Sequence, residues 1–379
     1  MTPLLAFCES QRDWLLETIE ALVRLESPTT DKAAVDRCGR SLAARLVDIG
    51  ARVTRVESAV AGDHLLAEIG AGDRQVLLLG HFDTVWPVGQ LERMPLKREA
   101  GRLYGPGTFD MKAGLAIGLL AARALIESGG GLRARLVMLW TTDEEIGSQT
   151  SRAVIEDRAQ RSEAVLVLEP SLPGGAVKTS RKGCGQFELD VRGVSAHAGI
   201  EPGKGASAVH ELAHQIVAIE RLQDLARGVS VNATVVAGGS RANVIPDRAT
   251  ATVDVRVPTM ADAARIEAAF RGLTPRLRGT SVDVAGGLNR PPLERSPGVA
   301  WLYELARGVA RELGRDLEEG GTGGGSDGNF TGALGVPTLD GLGAIGEGAH
   351  ALHEHVEMAS LPWKAALVAG LITRVLEPR

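Results

Sequence analysis

Val76-Leu77-Leu78-Leu79-Gly80-His81-Phe82-Asp83-Thr84 decides the reading of this chain. An unbroken apolar run of strand length gives way to an imidazole and a carboxylate at its tip. A run without polar alternation is a strand buried on both faces, the habit of a parallel sheet covered by helices. In such sheets, ligands gather at the carboxyl ends of the strands. The arrangement recurs downstream: the pair Glu144-Glu145 follows the apolar run 136–140, and Glu169 follows 164–168. Asp110 and His350 add a carboxylate and an imidazole. Carboxylates mixed with imidazoles, with no thiolate nearby, form the ligand set of a hydrolytic divalent-metal site, most often zinc.

Singly, these groups say little. A histidine after a strand is more often a hydrogen-bonded structural residue, and Glu144-Glu145 alone reads as a solvated turn. His81, Asp83, the Glu144-Glu145 pair and Glu169 at equivalent strand ends are a different matter. Burying that much negative charge is too costly without a cation. Alternate residues of a strand share a face, so Asp83 can hydrogen-bond the ring nitrogen of His81 that faces away from a metal, fixing its tautomer. The alternative is that Asp83 caps the following turn. Asp110 lies in Tyr104-Gly105-Pro106-Gly107-Thr108-Phe109-Asp110-Met111-Lys112-Ala113-Gly114. This loop delivers a carboxylate to the start of an apolar helix. Asp110 is then either the helix N-cap or a bridge that uses both oxygens between two metals.

At 379 residues the chain is long for one core, and two domains are expected. Hydrophobic and charged contents of 44% and 23% are those of a soluble globular protein. A net charge of -5 provides no basic field for nucleic acid, and 3% aromatics leave little for base stacking. The N-terminus, Met1-Thr2-Pro3-Leu4-Leu5-Ala6-Phe7-Cys8-Glu9, lacks the basic segment of a signal peptide. The apolar stretch 115–126 is broken by Arg123 and is too short for a membrane span. Cys8, Cys38 and Cys184 are odd in number and show no CxxC spacing, which disfavours a disulfide framework and a thiolate zinc site. The expectation is a cytoplasmic protein with reduced cysteines and neither nucleic-acid nor membrane partners.

Periodicity predicts helices over 10–26, with Ser10 at the start, and 33–49, closed by Gly50. Strands are expected over 53–56, 65–69, 76–79, 136–140 and 164–168. A helix is expected over 111–128, ending in Gly129-Gly130-Gly131. This is an α/β domain with a mixed, largely parallel sheet. Near Gly183 the texture changes. Phe187-Glu188-Leu189-Asp190-Val191 and Ala251-Thr252-Val253-Asp254-Val255-Arg256-Val257 alternate, as strands with one solvated face do. With helices over 206–222 and 261–273 and strands over 230–236 and 281–284, the order is β-α-β-β-α-β, a ferredoxin-like α+β unit. It is read as an inserted domain, 183–289, between the two parts of the first domain, 1–182 and 290–379. Helices over 299–313 and 361–376 complete the first domain.

Gly80-His81-Phe82-Asp83-Thr84-Val85, Gly105-Pro106-Gly107-Thr108-Phe109-Asp110-Met111-Lys112-Ala113-Gly114, Thr142-Asp143-Glu144-Glu145-Ile146-Gly147-Ser148 and Ser195-Ala196-His197-Ala198-Gly199 resemble the motifs of the M20 metallopeptidases. The likeness is strongest to the glutamate carboxypeptidase branch. It runs in the right order from His81 to Glu354. The resemblance implies a zinc-peptidase-like catalytic domain and an inserted lid or dimerisation domain whose hinge closure assembles the site. It implies two zinc ions per subunit, Co2+ or Mn2+ being alternatives, with a bridging water as nucleophile. It places His81 and Glu169 on one ion, Glu145 and a late histidine on the other, and Asp110 across both.

Family spacing from Glu354 selects His350 as that late histidine, with His353 and His355 as the alternatives. Glu144 resembles the family's general base. His197 resembles its oxyanion-stabilising histidine, acting across a dimer interface in dimeric members; read alone, His197 is an exposed loop residue. Asn243 and Arg256 match substrate-contacting positions, and the planar fork of Arg256 suits a free carboxylate. Arg290 is a second candidate cation or a solvated surface residue. The loop Gly320-Gly321-Thr322-Gly323-Gly324-Gly325-Ser326-Asp327-Gly328 lacks the GK[ST] of a nucleotide loop. It resembles the family's glycine-rich loop, whose backbone N–H groups, Gly324 among them, cradle a carboxylate. The implied reaction is hydrolysis of an amide next to a free carboxylate in a small peptide or N-acyl amino acid. The alternatives are a deacylase or dipeptidase of the same fold, or a non-catalytic ligand-binding relative. A homodimer through the inserted domain is expected.

Overall fold

A computed structural model describes residues 2–127 and 134–377. Met1 and the expected glycine stop at 129–131 lie outside the described residues. The chain forms two compact units, Met1–Ser180 with Arg295–Gly321 and Ser326–Arg379, and Arg181–Glu294 with Thr322–Gly325.

The first unit is built on a six-stranded sheet. In spatial order its strands are Arg52–Val56, His64–Ile69, Arg135–Thr141, Gln75–His81, Ala164–Val167 and Thr338–Leu339. The first two pairings are antiparallel and the other three parallel. Gln75–His81 is buried at every position. Its side chains alternate between two apolar clusters. Val76 and Leu78 pack with the helices Ala113–Glu127 and Leu361–Leu376, while Leu77 and Leu79 pack with Ile155, Ala159 and Phe330. Helical residues on both faces explain the continuous apolar run. Each buried Leu or Val contributes about 1.5–3 kcal/mol, so the strand is a rigid platform for what stands at its tip.

Several elements differ from expectation. The helix expected over 10–26 is Arg12–Val23, and a separate, unexpected helix, Pro3–Ser10, precedes it. Thr2 caps Pro3–Ser10, and the Ser10 hydroxyl turns back to the carbonyl of Phe7 at 2.7 Å instead of starting Arg12–Val23. The helix expected from 111 begins at Ala113. Before it, Thr108–Lys112 is an irregular turn in which Asp110 has φ -113° and ψ 95° and the Asp110–Met111 peptide is cis. Asp110 is therefore not an N-cap. A second, antiparallel sheet of short strands joins Gly346–Glu347, His355–Glu357, Arg102–Tyr104 and Lys97–Glu99. Strands of two or three residues carry no readable periodicity. By length and composition alone Met358–Leu376 is also apolar enough to cross a membrane. Inside the first unit, 72% of that window is buried, as for a core helix.

The second unit is a four-stranded antiparallel sheet in the order Ser230–Gly238, Arg248–Val257, Gly183–Arg192, Ser281–Arg290. Burial alternates strictly along Arg248–Val257. The buried side chains pack under the helices Ala208–Glu220 and Met260–Arg271, with the rings of Phe187 and Phe270 stacked at 4.0 Å. The chain order is the expected β-α-β-β-α-β.

Candidate metal centre

Three neighbouring parallel strands end side by side and set out the ligand groups. His81 closes Gln75–His81, between the other two. Its Nδ1 lies 3.0 Å from the backbone carbonyl of Asp83 and 3.3 Å from Asp83 Oδ1. Nε2 faces the other way, 3.2 Å from Asp110 Oδ1 and 3.4 Å from Glu169 Oε1. Asp83 is fully buried, and its Oδ2 accepts the Thr29 hydroxyl at 2.8 Å and the Glu145 N–H at 3.3 Å. Asp83, whose backbone carbonyl meets His81 Nδ1, thus also holds the backbone of Glu145 through its side chain.

Asp110 is braced from two sides. Glu354 Oε1 accepts the N–H groups of Phe109 at 2.9 Å and Asp110 at 3.0 Å. Glu354 Oε2 accepts the N–H of Gly107 at 2.9 Å and Trp86 Nε1–H at 2.8 Å. On the other side the buried Lys112 ammonium donates to the carbonyls of Leu22 at 3.0 Å and Leu25 at 2.9 Å. These lie at the C-terminal end of Arg12–Val23, where the helix dipole favours a cation.

So held, Asp110 directs its two oxygens at different imidazoles. Oδ1 meets His81, and Oδ2 lies 3.4 Å from His350 Nε2. His350 Nε2 is also 3.2 Å from Glu145 Oε2. Of the three late histidines, His350 is the one placed against these carboxylates. His353 is exposed, and buried His355 has its Nδ1 2.9 Å from the carbonyl of His353. Two groups result, His81–Asp110–Glu169 and Asp110–Glu145–His350, and within each one ligand atom per residue lies within 4.8 Å of the others.

Glu169 owes its place to close packing around Leu168. A Cβ on Gly114 would stand 2.1 Å from the Leu168 carbonyl oxygen, and one on Gly343 would stand 2.2 Å from the same atom. Only glycine fits. The N–H of Gly343 donates to the Glu169 carbonyl at 2.9 Å.

The electrostatics fit a pair of divalent cations. Burial depresses the His81 pKa, but hydrogen bonds to Asp110, Asp83 and Glu169 outweigh it and push His81 well above its ordinary value. Hydrogen bonds to Asp110 and Glu145 push His350 up to about 10. For Asp110, burial works upward, but His350 and His81 win and hold it far below the carboxylate range. Burial pushes Glu145 up, and its Oε1 is buried without a hydrogen-bond partner. In this cluster protons on the imidazoles stand where cations would, three carboxylates face two rings, and one buried oxygen is orphaned. Divalent ions satisfy this set better than protons do.

The sequence, matched against known proteins, agrees. Residues 77–374 match the profile of Peptidase family M20/M25/M40. The chain belongs to this family. Carboxypeptidase G2 from Pseudomonas sp. (strain RS-16) is 32% identical over 369 residues, covering 94% of this chain and 88% of that protein. Succinyl-diaminopimelate desuccinylase from Stenotrophomonas maltophilia (strain R551-3) is 29% identical over 375 residues, covering 94% of this chain and 97% of that protein. The crystal structure of aminopeptidase PepT from Bacillus cereus ATCC 10987 has the same fold, with a TM-score of 0.80 at 23% identity, covering 97% of this chain and 99% of that one. As an M20 protein, the chain is a peptidase or amidohydrolase with a glutamate carboxypeptidase-like sequence.

The remaining candidates of this M20 chain lie as follows. Glu144 opens the single turn Glu144–Ile146 that also carries Glu145. In the second unit, His197 is exposed, and its Nδ1 accepts the N–H groups of Gly199 at 3.2 Å and Ile200 at 3.0 Å. The proton of a neutral ring therefore sits on Nε2. Asn243 is its neighbour through the backbone, its carbonyl accepting the N–H of Ala198 at 2.9 Å. Arg256 and Arg290 flank Cys184 across adjacent strands, in register with it on both sides. Arg256 Nη1 lies 2.6 Å from Cys184 Sγ, and its other nitrogens meet Asp254. Arg290 is buried, not a solvated surface residue. The glycine-rich loop turns its carbonyls inward: those of Gly324 and Gly325 accept from Arg181 Nη1 at 3.1 and 2.9 Å. The Gly324 N–H, expected to cradle a carboxylate, points to Thr322 Oγ1 at 3.5 Å. Sequence reasoning missed Glu354, Lys112, Thr29 and Arg181. Each acts on backbone groups or on one distant side chain, which no local motif records.

Proposed function

We propose that this M20 chain is a two-metal hydrolase that cleaves the amide bond next to a free carboxylate, releasing a C-terminal amino acid from a short peptide or an N-acyl amino acid. The observation that carries this reading is Asp110, whose two oxygens face two separate imidazole–carboxylate groups. His81 and Glu169 would hold one ion, Glu145 and His350 the other, and Asp110 both. Zinc fits this donor set, with Co2+ or Mn2+ as alternatives. When bound, the ions would polarise the scissile carbonyl and acidify the attacking water.

The chain's own residues do the rest. Asp83 orients His81. Glu144 takes the proton of the attacking water as its oxygen bonds to the carbonyl carbon, and delivers that proton to the leaving nitrogen as the C–N bond breaks. The products are an acid and a free amine. His197 Nε2–H would donate to the developing oxyanion, Asn243 would add a further substrate contact, and Arg256 with Arg290 would be the cations for the substrate carboxylate. The likeness to a desuccinylase supports a second reading, deacylation of an N-acyl amino acid.

The outer strand Ser230–Gly238 supports a homodimer through this unit. Val235 and Val236 are 60% and 57% exposed there, and an open apolar edge invites a second copy. A panel of C-terminal glutamyl peptides, N-acyl amino acids and their carboxamides tests the function. Hydrolysis only of substrates with a free carboxylate supports it; equal turnover of the carboxamides contradicts it.

A further inference from the structure

We propose that Asp327 is a positioning residue for Glu144 and Glu145, clamping both ends of the loop that presents them. The proposal rests on the reading of those two residues given above. The loop leaves the sheet at Thr141, the last residue of Arg135–Thr141 and the register partner of His81. There the Thr141 hydroxyl donates to Asp327 Oδ2 at 3.0 Å. The loop ends at Ser148, whose hydroxyl donates to the other oxygen, Asp327 Oδ1. One carboxylate, 3% exposed, thus spans the entrance and the exit.

The exit needs such a hold. Ser148 has φ +58°, a left-handed conformation that costs a residue with a side chain about 1–2 kcal/mol. Its N–H closes the loop onto the Asp143 carbonyl at 2.8 Å. The Asp143 side chain locks the following segment, accepting the Thr150 N–H at 2.6 Å and the Thr150 and Ser151 hydroxyls at 2.8 and 2.6 Å. Between these fixed points the Glu144–Ile146 turn has little freedom. A slip of one ångström in such a group costs about a hundredfold in rate. Glu145 serves one of the two ligand groups, so a slip weakens one ion and spares the other.

The test compares wild type with Asp327→Asn, Ser148→Ala, Ser148→Gly and the double variant Asp327→Asn/Ser148→Ala, each loaded with Co2+. The expected loss in kcat for Asp327→Asn is about 10- to 100-fold with KM little changed. After dialysis against a weak chelator, its cobalt content should fall from two ions per chain to one. Ser148→Gly relieves the left-handed strain and should fold at least as well as wild type, yet lose kcat as Ser148→Ala does. The double variant should be no worse than Asp327→Asn, because both changes cut one link. A fully active Ser148→Gly, additive losses, or wild-type cobalt retention in Asp327→Asn would overturn the proposal. A wild-type chain that binds two ions but hydrolyses no amide sinks the functional reading instead, and cobalt retention still decides the role of Asp327.

Discussion

Glu354 receives the backbone N–H of Asp110 at 3.0 Å, and the same carboxylate gathers the N–H groups of Phe109, Gly107 and the Trp86 ring. The segment that supplies His350 therefore also supplies the brace for Asp110. A glutamine at this place keeps the shape but offers an amide nitrogen to donors that need an acceptor. Glu354→Gln should destabilise the metal-free protein by ~2–4 kcal/mol, as expected for two buried donors left unpaired. Urea denaturation measures this; an unchanged midpoint would show that the four contacts do not organise the loop.

Metal loading should release protons. His81 lies well above its ordinary pKa and His350 at about 10, so both are charged near neutral pH in the metal-free protein. Ligation needs neutral rings, so two ions displace about two protons per chain and apparent affinity climbs with pH. Calorimetry in buffers of different ionisation enthalpy counts the protons, and no release would exclude both histidines as ligands. The sign for folding is opposite. The metal-free fold binds more protons here than the unfolded chain, so this stabilisation is full below the unfolded value of about 6.5 and is lost as pH rises through about 10.

Glu144→Gln removes the proton acceptor without touching a ligand. Turnover should fall about 10³-fold while metal content stays at the wild-type value. Asp110→Asn should lose both activity and most of the metal, because each ligand group loses a member. Plasma mass spectrometry beside a rate assay separates the two. Metal loss in Glu144→Gln, or full retention in Asp110→Asn, would contradict the assignment.

Lys364 is a buried cation whose ammonium donates to the carbonyls of Gly175 at 3.3 Å and Gly341 at 3.2 Å. Burial and the nearby charge of Lys178 depress its pKa to about 7. Between that value and the ordinary 10.5 the unfolded chain binds more protons than the fold, so stability rises with pH across this window and is lost as pH falls through about 7. Lys364→Met should flatten that rise. Urea midpoints of both proteins at neutral and alkaline pH measure it, and identical slopes would exclude Lys364 as its source.

Gly114→Ala places a methyl where the Leu168 carbonyl oxygen stands, 2.1 Å away. The backbone next to Glu169 must move. The expected result is a soluble protein that holds its metal less tightly, with stability lower by about 1–3 kcal/mol. A variant matching wild type in metal affinity would show that this approach does not set Glu169.

Much of this was legible in the sequence, for a physical reason. Val76 to Leu79 read as a doubly buried strand because side chains on both of its faces meet apolar clusters, and that marked His81, Glu145 and Glu169 as strand-end groups. The sheet of the second unit was equally readable, because one solvated face imprints period-two alternation on Arg248–Val257. The turn at Asp110 was not. Its apolar continuation, Ala113–Glu127, looks like a helix that Asp110 should cap, and nothing local reveals that a carboxylate 244 residues away pulls it out of helical geometry. Glu354 and Asp327 were invisible as braces because their partners are backbone N–H groups and hydroxyls far along the chain. The inward-facing carbonyls of Gly324 and Gly325 depend on Arg181, whose burial the composition does not show.

Anomalous diffraction at the zinc absorption edge, from crystals grown with zinc, tests the central claim most directly. Two peaks are expected, one among His81, Asp110 and Glu169 and one among Asp110, Glu145 and His350. A single peak, or none within reach of Asp110, would contradict the account.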